Sequence, residues 1–382
     1  FALLAGACSD NNLNDDAPVV PATPDIVIPE GAAEGELLIK FVPEMTEILD
    51  RTMKTRAAGA STRSGIPSTD EVLSILGAYD FERVFPVDSR TEEKSREAGL
   101  HLWYLVRFDK NTDLKEAMER LSGLGEISKL QINPAIQRAY NPKKKPVPVS
   151  EAALNRMRTR AAADNGFKFN DALLPHQWGY INRGAYDFAT EKAPAIVGSD
   201  VNCEEAWELC TGDPEIIVAV LDEGVMYTHE DLTANMWVNE KEQVGSDQDN
   251  DGNGYKGDRY GYNFVKDNGN ISWQAAEDTG HGTHVAGTIA AVNGNNIGVC
   301  GIAGGDGTKK GVRIMSCQVF DGDGQVRMVN EARAIKYAAD NGAVILQCSW
   351  GYNSAYSNPM QGYIPGPATD EEWAKSYPLE KE

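Results

Sequence analysis

Positive charge is scarce in this chain: 36 Lys and Arg stand against 57 Asp and Glu, a formal net charge of −21 at pH 7. That balance argues against nucleic acid or an anionic membrane face as the main partner. It fits an extracytoplasmic protein that handles cations. Beyond the opening residues no run reaches the apolar length of a membrane span. Six cysteines are present, Cys8, Cys203, Cys210, Cys300, Cys317 and Cys348, but no C-x-x-C pair, so a cysteine metal site has little support. Cys203 and Cys210 lie roughly 10 Å apart along a predicted helix, too far to bridge across it. Cys300, Cys317 and Cys348 fall at apolar positions, and all five are read as packing thiols. There is no H-E-x-x-H pattern, and His281 with His284 needs further ligands to hold zinc.

What is present is a chain of 382 residues, 41% hydrophobic and 24% charged, enough for two to three globular domains. It opens on Phe1 rather than Met, read as a truncated start. Phe1-Ala2-Leu3-Leu4-Ala5-Gly6-Ala7-Cys8 has the look of a signal-peptide apolar core ending in small residues and a Cys. It resembles a bacterial lipoprotein box, which makes residues 1–8 a signal remnant and Cys8 the lipidated residue; an ordinary signal peptide with a chance Cys is the alternative. Residues 9–33 read as a flexible tether.

Residues 34–140 alternate strand and helix signals. Strands are expected at 36–42, 79–85, 100–108 and 127–132, with helices starting at Ser68-Thr69-Asp70-Glu71 and covering 113–121. The order βαββαβ is that of a ferredoxin-like α+β unit. Residues 141–169, with Asn141-Pro142-Lys143-Lys144-Lys145-Pro146, form an exposed linker open to proteolysis. From residue 170 to 382 the pattern becomes βα: strands at 216–221, 312–320 and 343–349, helices at 204–209, 282–291 and 326–340. Near-continuous apolar strands in βα units predict a doubly wound parallel sheet with helices on both faces. Sites in such sheets lie at the carboxyl ends of strands, where Asp222 and Ser349 fall.

The richest block is Asp278-Thr279-Gly280-His281-Gly282-Thr283-His284-Val285-Ala286-Gly287-Thr288, a His at a glycine-flanked helix start. A strand-end carboxylate and a helix-start imidazole supply two parts of a nucleophilic triad: His281 as general base, then acid, and Asp222 as its orienting partner. Together with Val218-Ala219-Val220-Leu221-Asp222-Glu223-Gly224 and Ser349-Trp350-Gly351, this block resembles the subtilases, the subtilisin-like serine proteases. The resemblance implies a serine endopeptidase acting on proteins or peptides. It makes residues 34–140 an inhibitory propeptide and the peptidase domain an incomplete subtilisin-like fold. It places substrate backbone on Ser349, Trp350 and Gly351 on one side and on the loop containing Gly322 and Gly324 on the other. Trp350 either lines a specificity pocket or packs. Glu223 stands where the family usually has Ser or Thr, and its side chain is expected to point away and do nothing.

Asp247-Gln248-Asp249-Asn250-Asp251-Gly252 through Asp258 has the oxygen spacing of a calcium loop, with Asp258 in place of the usual Glu. Asp247, Asp249, Asp251 and Asp258 are the candidate ligands, against the alternative of a solvated acidic turn. The resemblance adds Asp231 as a second calcium position. No organic cofactor is implied. Between Tyr352 and Glu382 there is neither an Ala-Ala-Gly-Asn segment for the oxyanion nor a Gly-Thr-Ser-Met-Ala block for the nucleophile. Ser61 and Ser64 have no strand–elbow–helix setting. The 382 residues are therefore expected to be a partial, inactive portion of an envelope-anchored or secreted bacterial zymogen. The alternative is a non-catalytic, calcium-stabilised binding module of the same fold.

Overall fold

The computed structural model describes residues 28, 32–55, 63–139, 150, 152, 155, 166–184, 194–275, 278–321, 326–351 and 369–382. Cys8, Gly322 and Gly324 lie outside the described residues, as do most of the tether and the linker.

The N-terminal unit is an antiparallel sheet covered by helices on one face. Strand β1 (Ala32–Phe41) lies between β3 (Trp103–Arg107) and β4 (Ile127–Pro134), and β2 (Asp80–Arg83) completes the order β2-β3-β1-β4. The helices are α1 (Thr46–Thr55), α2 (Pro67–Ile75), α3 (Glu92–Glu97) and α4 (Leu114–Ser122). Asp113 caps α4 by accepting from the amides of Lys115 and Glu116, which satisfies two of its orphan donors. Helix α2 starts differently from the expected Ser68–Asp70 cap. Its cap position is Ile66, with no side-chain hydrogen bond, and Pro67, which has no N–H to lose, opens the first turn. Asp70 instead folds back onto the amide and hydroxyl of Ser64, at 2.6 and 2.7 Å, and the Gly65 amide.

Strand alternation divides this sheet into two apolar faces. Leu37, Ile39, Phe41, Phe81, Tyr104 and Val106 pack with the helices. On the opposite face Leu38, Val84, Trp103 and Leu105 belong to one core with Met315, Val329 and Tyr337 of the second half of the chain. The N-terminal unit is thus docked through its own sheet.

The second half is built on a parallel sheet: β6 (Ile217–Glu223), β7 (Gly261–Asn263), β8 (Arg313–Phe320) and β9 (Ile345–Cys348), in the order β7-β8-β6-β9. All three strand pairs are parallel. Every residue of β6 is buried, as its unbroken apolar run requires. The helices of this half that flank the sheet or precede it are α5 (Cys203–Leu209), α6 (His281–Ala290) and α7 (Met328–Asp340), and two short ones, α8 (Asp370–Ser376) and α9 (Pro378–Lys381), close the chain's described residues. Val218, Val220 and Ile314 face Ala286 and Ala290 of α6. Ala219, Leu221 and Met315 face Ala334, Tyr337 and Ala338 of α7. The sheet is therefore an α/β layer with a helix on each face. Strand β9 is more open, with Ile345 and Leu346 exposed. Cys348 and Cys210 are exposed as well, unlike the buried Cys203, Cys300 and Cys317, so the packing role expected of all five thiols holds for three. Among the described residues no helix is long and apolar enough to cross a membrane.

A short strand joins the halves. β5 (Gln137–Arg138) pairs antiparallel with β10 (Trp350–Gly351), immediately after β9.

Candidate active site

Strand β6 ends by delivering Asp222, fully buried, against the first turn of α6. The His281 Nδ1 lies 3.0 and 2.9 Å from the two Asp222 carboxylate oxygens. Asp222 Oδ1 also accepts from the Glu223 amide at 2.7 Å. A buried carboxylate on Nδ1 fixes the proton there and leaves Nε2 as the basic atom. The His281 side chain is a quarter exposed and lines an open cleft beside it.

Two glycines set this geometry. Gly280 precedes α6 with φ +77°, a left-handed conformation that glycine adopts at no steric cost. Gly282 lets the helix start close against β6: a Cβ there would lie 2.2 Å from the Glu223 carbonyl oxygen. Thr283 adds a tie, its hydroxyl accepting from the Met226 amide at 2.9 Å.

Glu223 is far from idle, in contrast to the expectation from strand alternation. Its side chain does turn away from the imidazole, but the turn carries it under the start of α6. There Oε2 accepts from the Thr279 amide at 2.8 Å, the Thr279 hydroxyl at 3.0 Å and the His281 amide at 3.3 Å. Orphan amides and the positive end of the helix favour an anion at this place. The residue after Asp222 therefore holds the helix that carries His281.

An open cleft of about 950 Å³ runs beside His281, with Tyr180, Met226, His229, Trp273 and His284 among its lining. On another side, the edge formed by Ser349, Trp350 and Gly351 is occupied. Ala139 donates its amide to the Ser349 carbonyl at 2.8 Å, and Trp350 and Gly351 pair with Arg138 and Gln137. Just before, Ile136 donates to the Val326 carbonyl at 3.2 Å, and Ala135 bridges Arg327. Residues 135–139 thus run between two chain segments of the second half. Trp350 packs inward, its indole N–H donating to the Leu221 carbonyl at 2.9 Å.

The five expected metal ligands separate. Asp249 and Asp251 come together with Glu242, their nearest oxygens all within 4.8 Å of one another, and three carboxylates are the hard oxygen donors that calcium takes. Asp247 is not in this group. Asp258 turns to the interior, fully buried, accepting from the Tyr337 hydroxyl at 2.8 Å and the amides of Asn253 and Asn239 at 2.9 and 3.2 Å. Burial pushes its carboxyl up to about 6, against the pull of those hydrogen bonds. Asp231 lies elsewhere, accepting from the Asn295 side chain at 2.8 Å and the Val299 amide at 2.9 Å. Burial raises its carboxyl above the ordinary range.

Three participants escaped the sequence reading. Glu242 precedes the acidic loop without sharing its alternation. Arg138 and the segment at Val326 and Arg327 meet only because the fold brings together parts of the chain far apart in sequence.

Comparison with known proteins places this geometry. A sequence model of the Subtilase family matches residues 213–375. Subtilisin-like protease 1 of Plasmodium vivax is 33% identical over 214 residues, 55% of this chain and 30% of that protein. The halolysin-like extracellular serine protease Nep of Natrialba magadii is 33% identical over 151 residues, 40% of this chain and 23% of its own length. Kexin of Saccharomyces cerevisiae is 28% identical over 238 residues, 62% of this chain and 24% of its own. The chain spans about a quarter to a third of the length of these relatives. With strands, helix start and matched residues all in the same region, it is residues 213–375 that match the subtilase family of subtilisin-like serine proteases.

Proposed function

We propose that Asp222 and His281 are the acid–base half of a Ser-His-Asp triad, and that the whole protein is an endopeptidase held as a zymogen by its N-terminal unit. The observation that carries the proposal is the Nδ1–carboxylate contact of 2.9 Å at the buried end of β6, inside the family-matched region. In this mechanism Asp222 keeps the Nδ1 proton in place, and Nε2 takes the proton of an attacking serine hydroxyl. The buried carboxylate then stabilises the imidazolium, and His281 returns the proton to the leaving amine. Loss of the carboxylate in such triads costs about 10⁴-fold in rate.

Residues 349–351 serve as the substrate edge in this reading. The antiparallel pairing of residues 137–139 on it supports a role for residues 34–140 as an intramolecular inhibitor, since peptide recognition by strand addition needs that same free edge. Processing falls in the linker at 141–169. Glu242, Asp249 and Asp251 would hold a structural calcium ion, which would neutralise their mutual repulsion. Cys8 as a lipid-bearing residue, and delivery to the bacterial envelope or beyond, complete the reading; the extracellular halolysin-like relative supports the export.

The proposal requires a serine nucleophile from sequence in frame beyond codon 382. Reading that sequence, then labelling the encoded protein with a fluorophosphonate, tests it. A labelled serine, with peptide hydrolysis abolished by His281→Ala, is expected. A stop codon directly after Glu382, or full hydrolysis by the His281→Ala protein, overturns it in favour of a binding module. Labelled palmitate retained by Cys8→Ala would remove the lipid anchor.

A further inference from the structure

Strand pairing on the edge at residues 349–351 uses only backbone atoms, so it leaves the side chain of Arg138 unexplained. That side chain is 13% exposed, and its Nε lies 3.4 Å from Oε1 of Glu223, which is 1% exposed. The guanidinium carbon is 5.1 Å from the centre of the Phe320 ring. Arg138 therefore sits in a small receptor for a cation, with a carboxylate on one side and an aromatic face on another. Phe320 and Glu223 are themselves neighbours in register, at the ends of β8 and β6.

Glu223 has two tasks in this arrangement. Its Oε2 holds the amides of Thr279 and His281, while its Oε1 meets the guanidinium. A carboxylate buried this deeply is costly without a counter-charge, and backbone amides supply only part of one. Any strand that replaces residues 137–139 on the edge inherits the need: a neutral side chain in the place of Arg138 leaves Glu223 without its cation, and a basic one restores it.

We infer that Glu223 and Phe320 form a cation-accepting subsite, and that the substrates of this protein carry Arg or Lys at the residue that pairs with Trp350. The inference rests on the endopeptidase reading above and adds the substrate class. Arg is favoured over Lys, because a planar guanidinium can meet the carboxylate and lie against the ring together. Arg138 is then an internal copy of the substrate residue.

The test uses the full-length protein and a peptide series that differs only at that residue: Arg, Lys, citrulline and Glu. The kcat/KM for Arg should exceed that for citrulline, its neutral near-isostere, by roughly ten- to hundredfold, with Glu poorest. Glu223→Gln, which keeps an acceptor for the α6 amides, should bring the Arg-to-citrulline ratio close to one. Phe320→Leu should narrow the gap between Arg and Lys. Equal kcat/KM for Arg and citrulline peptides in an active protein overturns the inference and leaves the endopeptidase reading intact. A second measurement needs no catalysis: urea unfolding of the 382-residue chain carrying Arg138→Gln, Glu223→Gln and both. The double variant should unfold no earlier than Glu223→Gln alone; fully additive shifts of the midpoint overturn the cation site. Coupling between the two residues in a protein that cleaves no peptide overturns the endopeptidase reading and with it the substrate assignment.

Discussion

Replacing Gly282 by alanine sets two local effects against each other. In an ordinary helix interior alanine is favoured over glycine by about 1 kcal/mol. Here the added methyl would sit 2.2 Å from the Glu223 carbonyl oxygen and 2.9 Å from its carbon. A carbon-to-oxygen contact of about 3.3 Å is the close limit for such atoms, so the start of α6 must retreat by roughly 1 Å. Neither contact atom can yield cheaply, because both are backbone of Glu223, which is paired with Phe320 of β8 and fully packed at the end of β6. Overpacking of this kind costs about 1–3 kcal/mol, so the helix gain is outweighed and a net loss of roughly 1 kcal/mol or more is expected. The retreat also draws His281 Nδ1 from 2.9 Å to a separation at which no hydrogen bond to Asp222 survives. Urea unfolding of Gly282→Ala gives the first number, and the downfield Nδ1 proton resonance of His281 reports the second. A variant that unfolds at the same or higher urea concentration with that resonance unmoved would refute the steric argument. On the endopeptidase reading proposed above, the same change in the full-length protein should cost about 10²-fold in kcat, as a 1 Å misplacement does.

The remaining expectations concern buried acids and the acidic loop. Burial alone pushes Glu331 up to about 8 from an ordinary 4.5. The folded state then binds a proton that the unfolded chain releases, so this residue's stability contribution is complete below about pH 4.5 and is lost as pH rises toward 8; Glu331→Gln should remove a pH-dependent fall in the unfolding free energy of up to a few kcal/mol across that window, read by urea titration at several pH values. Asp258, at about 6, acts with the same sign between roughly pH 4 and 6. Tyr337→Phe removes one of its donors and should cost about 1–3 kcal/mol at pH 7 and less at pH 4, by thermal unfolding at the two pH values. EDTA should lower the melting temperature of the chain, and Glu242→Ala or Asp249→Ala should blunt that response; a melting curve indifferent to EDTA and calcium would end the calcium proposal.

The strands and helices that build the site are legible because their signals are local. The run at 216–221 could only be a buried strand, and β6 differs from it by one residue at its start and two at its end. The helix expected at 282–291 begins one residue earlier, on His281 itself. The partnership of Asp222 and His281 was also legible, since strand-end acid and helix-start imidazole need each other chemically. What escaped was every contact whose partners are distant in sequence and weak in pattern. Glu223 looked like an idle alternate residue because its acceptor role depends on amides 56 and 58 positions later. Asp258 fits the spacing of a loop ligand, yet it is drawn inward by Tyr337, which belongs to a helix 79 positions on. Asp70 is the first-turn acid that was expected, but its carboxylate is spent on the loop before the helix.

The strand at residues 135–139 changes the problem any outside peptide faces. It is anchored on one side by a sheet that shares a core with the second half, so its local supply on the edge is governed by geometry rather than by dilution. Short tethers typically give effective concentrations on the order of millimolar. A free peptide of equal intrinsic affinity at about 1 μM would then be outcompeted roughly a thousandfold. Cutting the chain after residue 139 would not by itself remove that handicap, because the buried face of Leu38, Trp103 and Leu105 would still hold the strand in place. The lag before the edge becomes free would be set by how slowly that face separates.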